Sequence, residues 1–79
     1  MDRRTYSIIE LVGVSEYTYD DAASRAIARA SETIEGLGWF KVIELRGLIR
    51  DGEVSEYQVS LELGFRLLQE DELKKARPS

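Results

Sequence analysis

The sequence predicts an α+β domain in the order strand, helix, strand, strand, and three observations carry that prediction. Residues 56–67 alternate polar and apolar side chains, the period of a strand with one covered face. An Asp51-Gly52 pair precedes that run, and this dipeptide suits the two-residue turn of a hairpin, where both positions take positive φ. Between Ala22 and Leu37 the apolar residues return at helical spacing instead.

The first strand is read from Tyr6-Ser7-Ile8-Ile9-Glu10-Leu11-Val12, rich in β-branched and aromatic residues and closed by Gly13. Apolar residues fall on both of its faces, which suits a strand covered on both sides. Ser15 to Tyr17 make a polar connection. Thr18, followed three residues later by Asp21, carries an N-cap signature, and the carboxylates of Asp20 and Asp21 suit the positive end of a helix. Ala22, Ala23, Ala26, Ile27, Ala30, Ile34 and Leu37 then form one stripe, while Arg25, Arg29, Glu32 and Glu35 take the other face. The small residues of the stripe let the helix lie close to a sheet. Gly36 and Gly38 are the expected helix stop.

Trp39 to Ile49 is the second extended segment. In the third, Tyr57, Val59, Leu61, Leu63, Phe65 and Leu67 point one way, and Glu56, Gln58, Ser60, Glu62, Gly64 and Arg66 the other. The helical stripe is expected on the Val59–Phe65 face. The opposite face, with Gln58 and Glu62, has no cover within the chain. Residues 1–68 thus read as one domain and 69–79 as a charged tail with room for a short helical turn before Pro78; no repeat and no second domain is seen.

Size and composition narrow the functional classes. A domain of 79 residues buries only about 60–65% of its unfolded surface, and a lone core of this size seldom supplies more than about 3–5 kcal/mol. With no Cys and no His, disulfides and zinc-type sites are excluded as staples. Association between subunits is the remedy left. The missing cysteines suit a reducing compartment. No apolar run approaches about 18 residues and no signal-peptide pattern follows Met1, so a soluble cytoplasmic protein without a membrane partner is expected.

Net charge is −4, from 15 acidic and 11 basic residues, and the basic clusters Arg3-Arg4 and Lys74-Lys75-Arg77 lie at the termini. The body of the domain therefore lacks a patch for neutralising phosphates, which speaks against a nucleic-acid partner. Without His or Cys the usual Ser-His and Cys-His nucleophile pairs cannot be built. Carboxylates such as Glu10, Glu44 or Glu62 could still serve as acid and base. Strand carboxylates of this kind ordinarily face solvent, and a binding or structural role is the stronger reading. Gly13 stands alone, so there is no Gly-rich phosphate loop. The acidic balance permits cations at symmetry axes but points to no ligand set.

The hairpin yields a register. If Asp51-Gly52 is a two-residue turn, Arg50 pairs with Glu53 and the numbers of paired residues sum to 103. Phe40 then faces Leu63 and Val42 faces Leu61, all toward the helix. Trp39 falls opposite Gly64, on the face of Gln58, so the one tryptophan is left half-exposed beside a residue without a side chain. A ligand or another subunit would cover it. Trp39 and Gln58 are then six strand positions apart, roughly 20 Å at about 3.3 Å per residue. One small aromatic ligand touching both must draw them from different subunits, unless a bulge shortens the path. Each residue alone has a plainer reading: a Trp beside a Gly is more often interface packing, and a lone strand Gln is usually solvated.

Taken in order, Gly38-Trp39-Phe40-Lys41-Val42, Arg46-Gly47, Asp51-Gly52, Tyr57-Gln58-Val59 and Gly64-Phe65-Arg66-Leu67 resemble the dodecin family, as do the opening Tyr6–Gly13 and the helix start at Asp20-Asp21-Ala22-Ala23. The resemblance covers residues 5–68; no single motif decides it, and order and spacing together make it specific. It implies a β-α-β-β subunit whose three-stranded antiparallel sheet wraps around one helix, assembled into a hollow homododecamer. It implies, further, a non-enzymatic protein that binds, stores and sequesters a flavin, FMN or riboflavin. In that family flavins lie in pairs between symmetry-related tryptophans and a glutamine bonds the polar edge of the ring. Matched by position, these roles fall to Trp39 and Gln58, with Arg46 at the family's common arginine near the ligand.

The chemistry agrees with that implication. An indole stacked on an isoalloxazine ring gains on the order of 1 kcal/mol beyond area burial and quenches the excited flavin by electron transfer. The Gln58 amide offers both a donor and an acceptor. Two departures stand out. Many dodecins carry His after the Arg-Gly pair, where this chain has Leu48, so no polar contact is expected from that position. Some relatives bind coenzyme A through basic residues late in the helix, where this chain has Glu32 and Glu35, so coenzyme A is not expected. The alternative reading is a shell of the same fold without flavin, in which Trp39 serves as interface packing.

Overall fold

The structure, a computed structural model, describes residues 4–67. These form β1 (Tyr6–Ser15), α1 (Tyr19–Ser31), β2 (Leu37–Arg50) and β3 (Glu53–Arg66). The expected tail lies outside the described residues. The strands make one antiparallel sheet in the order β1-β3-β2, and α1 packs on one face of it. Ala22, Ala26 and Ala30 of the helix meet Val59, Leu61 and Leu63 of the central strand. Truncating one of these buried leucines to Ala costs about 2–5 kcal/mol, a large share of what so small a core can supply. Among the described residues no helix is long and apolar enough to cross a membrane.

The helix start follows the sequence closely. Thr18 is the N-cap, and its hydroxyl accepts a hydrogen bond from the Asp21 amide at 2.9 Å. The Ser15 hydroxyl donates to the Asp21 carboxylate at 2.6 Å and accepts from the Tyr17 amide at 2.9 Å. Two boundaries differ from expectation. β1 does not stop at Gly13 but runs on to Ser15. The glycine marks a close approach of helix and sheet, since a Cβ there would run into the carbonyl oxygen of Ala22. The helix ends at Ser31, short of Gly36. The amides of Glu32 and Thr33 close back onto the carbonyls of Arg29 and Ala30, both at 3.2 Å, and this three-residue closure tightens and ends the helix. Ile34 and Leu37 still pack against the core, from the connection and from β2. Gly36, with φ of 84°, then turns the chain, and its carbonyl accepts from the Arg66 amide at 2.8 Å.

The hairpin turn has positive φ at both Asp51 (53°) and Gly52 (78°), as a type I′ turn demands. Arg50 pairs with Glu53, Val42 with Leu61, Phe40 with Leu63 and Trp39 with Gly64, all on the expected sum. Between those stretches the register departs from it. Ile43 is an extra residue in β2, and Ser55 is an extra residue in β3 that restores the count. In the interval Glu44 faces Ser60, Leu45 faces Val59 and Arg46 faces Gln58. An unbroken sum of 103 would have paired Arg46 with Tyr57, on the helix face. A one-residue slip moves a side chain to the other face, and here it brings Arg46 beside Gln58.

The helix is also much shorter than the hairpin. Thirteen residues of α1 span about 20 Å, whereas fourteen residues of β3 span about 46 Å. The molecule is 54 Å long and 14 Å in its thinnest direction. α1 covers β1 and β3 and leaves β2 bare along most of its length.

Candidate functional site

Among the described residues nothing lies over the sheet face away from α1. Period-two geometry places Tyr6, Ile8, Glu10, Val12 and Val14 of β1 on it, together with Glu56, Gln58, Ser60, Glu62 and Gly64 of β3 and Trp39, Lys41, Glu44, Arg46 and Leu48 of β2. Two groupings stand at opposite ends. At one end the indole of Trp39 lies across Gly64, where a Cβ would run into its atoms Cδ2, Cε2 and Cζ2. The residue is 41% exposed. Tyr6 flanks it, with ring centroids 6.2 Å apart and planes tilted by 42°.

At the other end a polar chain runs across the hairpin. The Arg46 guanidinium donates through Nη1 to Gln58 Oε1 at 3.3 Å, and through Nη2 to Glu44 Oε1 at 2.7 Å and Ser60 Oγ at 2.5 Å. Gln58 Nε2 donates in turn to Glu56 Oε2 at 2.7 Å. Leu48, 45% exposed, extends the same face without a polar group. Among the described residues the shifted titrating groups lie elsewhere, in the first turns of α1. The Ser15 hydroxyl and then the Arg25 guanidinium, both bonded to the Asp21 carboxylate, hold it below the usual carboxylate range.

Along the chain, this sequence of features matches the sequence model of the Dodecin family over residues 5–68. The chain belongs to the dodecin family. A dodecin of Thermus thermophilus is 50% identical over 64 residues, which cover 81% of this chain and 93% of that protein. The solved structure of dodecin from Streptomyces coelicolor superposes with a TM-score of 0.83 at 46% identity, covering 87% of this chain and 99% of that one. A calcium dodecin of Mycobacterium tuberculosis is 26% identical over 62 residues, 78% of this chain and 87% of that protein. The three-stranded antiparallel sheet with one helix is the dodecin fold.

Of the three residues expected at a dodecin ligand site, Arg46 and Gln58 are in contact and Trp39 is not with them. Gln58 and Gly64 stand six positions apart on a stretch of β3 that no bulge interrupts, so the separation of roughly 20 Å persists. Glu44, Glu56 and Ser60, which bond the pair, and Tyr6, which flanks the indole, were not among the expected site residues. Glu56 and Ser60 share the alternation of Gln58 and could have been found by it. Glu44 could not, because the Ile43 bulge decides its face. Glu10 and Glu62 face each other across β1 and β3. Among the described residues no three acidic, His or Cys side chains gather into a cation site. Late in the helix, Glu32 stands 3.6 Å from Arg29 and answers its charge.

Proposed function

We propose that this chain binds a flavin, FMN or riboflavin, without turning it over, and that it stores and sequesters the flavin inside a hollow cytoplasmic homododecamer. The ring stacks on Trp39, and Gln58 with Arg46 meets its polar edge. The observation that carries the reading is the seat of Trp39: an indole laid over a side-chain-free position, half-exposed on a face that none of the described residues covers. Offset stacking there adds on the order of 1 kcal/mol to the burial of the ring. The distance from Trp39 to Gln58 supports a ligand held between subunits, one supplying the indole and another the amide. Neither group has to change its protonation state, so the site suits binding rather than turnover.

The Tyr6–Trp39 contact favours a second reading, a flavin-free shell in which the indole is interface packing. A fluorescence titration of riboflavin and of FMN with the apo-protein, beside Trp39→Ala, separates the two. Deep quenching near one flavin per subunit, lost in the variant while the assembly stays intact, is the expected result. An intact oligomer that quenches neither flavin overturns the proposal in favour of the empty shell. Repeating the titration with calcium present tests whether this chain shares the cation named for its Mycobacterium tuberculosis relative.

A further inference from the structure

We infer that Glu56 is a positioning residue, which together with Arg46 fixes the direction in which the Gln58 amide faces its ligand. A glutamine amide is nearly symmetric in shape and opposite in chemistry at its two ends, so by itself it can present either end. Here the neighbours remove the choice. Arg46 carries only donors and takes Oε1; the Glu56 carboxylate carries only acceptors and takes Nε2. The flipped amide would set donor against donor and acceptor against acceptor at the two contacts.

The two ends of this clamp are unequal. The Arg46 bond, 3.3 Å, is at the long end of the hydrogen-bond range, and the same guanidinium is drawn toward Glu44 and Ser60. The Glu56 bond, 2.7 Å, is a short charge-assisted one. Glu56 therefore contributes most of the orientation. Opposite it on β2 stands Leu48, which offers no cation to compete for the carboxylate. What remains free on Gln58 is one N–H and one lone pair on Oε1, in fixed order. That pattern fits a ring edge with an acceptor beside a donor, the arrangement on the imide edge of an isoalloxazine. The identity of the ligand rests on the flavin reading above, and the clamp rests on the hydrogen bonds alone.

Two measurements keep these apart. The first is ligand-free: crystal structures at better than about 1.2 Å, where amide orientation becomes visible, of the protein, Glu56→Ala and Glu56→Gln. One Gln58 orientation is expected in the protein and in Glu56→Gln, whose amide oxygen still accepts from Nε2, and two in Glu56→Ala. The second is the ratio of dissociation constants for 3-methylriboflavin, with its imide N–H blocked, and riboflavin. Glu56→Ala is expected to lower that ratio about three- to tenfold, the worth of one oriented hydrogen bond, with saturating quenching by Trp39 unchanged and with Glu56→Gln restoring most of the loss. A single Gln58 orientation in Glu56→Ala overturns the inference, as does a flavin ratio that Glu56→Ala leaves unchanged. Absence of flavin quenching in the unmodified protein, with Gln58 orientation still dependent on Glu56, overturns the flavin reading and leaves the clamp standing.

Discussion

At Gly64 a missing side chain lets an indole lie on the sheet. The residue has no positive φ among the glycines that do, so backbone freedom is not the reason for it; the space above it is. Gly64→Ala puts a methyl group into the Trp39 ring, and overpacking of this kind costs about 1–3 kcal/mol. The variant is expected to keep its backbone and to lift the indole off its seat. On the proposed flavin site, affinity is expected to fall about fivefold, the loss of roughly 1 kcal/mol of stacking, measured by fluorescence titration beside circular dichroism. Unchanged affinity would mean that the indole finds an equivalent stacking position without its seat.

At the scale of the element, two devices shape this subunit. The first is the capped start of α1, where the Asp21 carboxylate accepts from Ser15 and Arg25 and the Asp21 amide donates to the hydroxyl of the Thr18 cap. Both side-chain bonds favour the charged carboxylate and depress its pKa. A depressed carboxylate contributes stability that is present above its unfolded value of about 3.9 and lost as pH falls through the lower folded value. The difference in melting temperature between the protein and Asp21→Asn is therefore expected to be full at neutral pH and to narrow as pH drops below about 4. A gap that stays constant to pH 3, about one unit below the unfolded value, would show that these bonds do not select the charged form. The second device is the bulge at Ile43, which turns the following residues of β2 over until Ser55 compensates on β3. It places a donor-only guanidinium on the face where Gln58 needs one.

Across the whole molecule, the bare strand is the main feature. Phe40 (51% exposed) and Leu45 (53%) point to the helix side of the sheet but lie beyond the reach of α1, and with Val42 they line an apolar trough of about 370 Å³ against Ala23 and Ile27. On the opposite face Ile8 and Val12 of β1 are half-exposed. β1 and β2 are both edge strands, and long edges of this kind invite pairing or cover. A chain whose own core can supply only about 3–5 kcal/mol gains by burying such surface against copies of itself. Phe40→Glu sets a charge in the trough and is expected to shift the sedimentation of the protein at micromolar concentration from a large assembly to small species, with a lower melting temperature. An assembly of unchanged size would place the subunit contacts on other surfaces.

Much of this could be read from residues alone, because it depends on short-range rules. Period-two alternation set the faces of β3, Asp51-Gly52 set the turn, Thr18 and Asp21 set the helix start, and the turn with the alternation carried Trp39 to Gly64. The residues proposed for the ligand rest on resemblance, as a set of types in order. Tertiary structure decided what depends on closeness between distant segments: that Gly13 is a contact with the helix and not a strand end, that α1 stops at Ser31, and that Arg46 meets Gln58. The last turns on one unpaired residue, Ile43. A bulge leaves no mark in local composition, because its cause is the fit between two strands and not the preference of either. Sequence periodicity assumes an even register; only the paired sheet shows where the register slips, and that slip sets Arg46 beside Gln58.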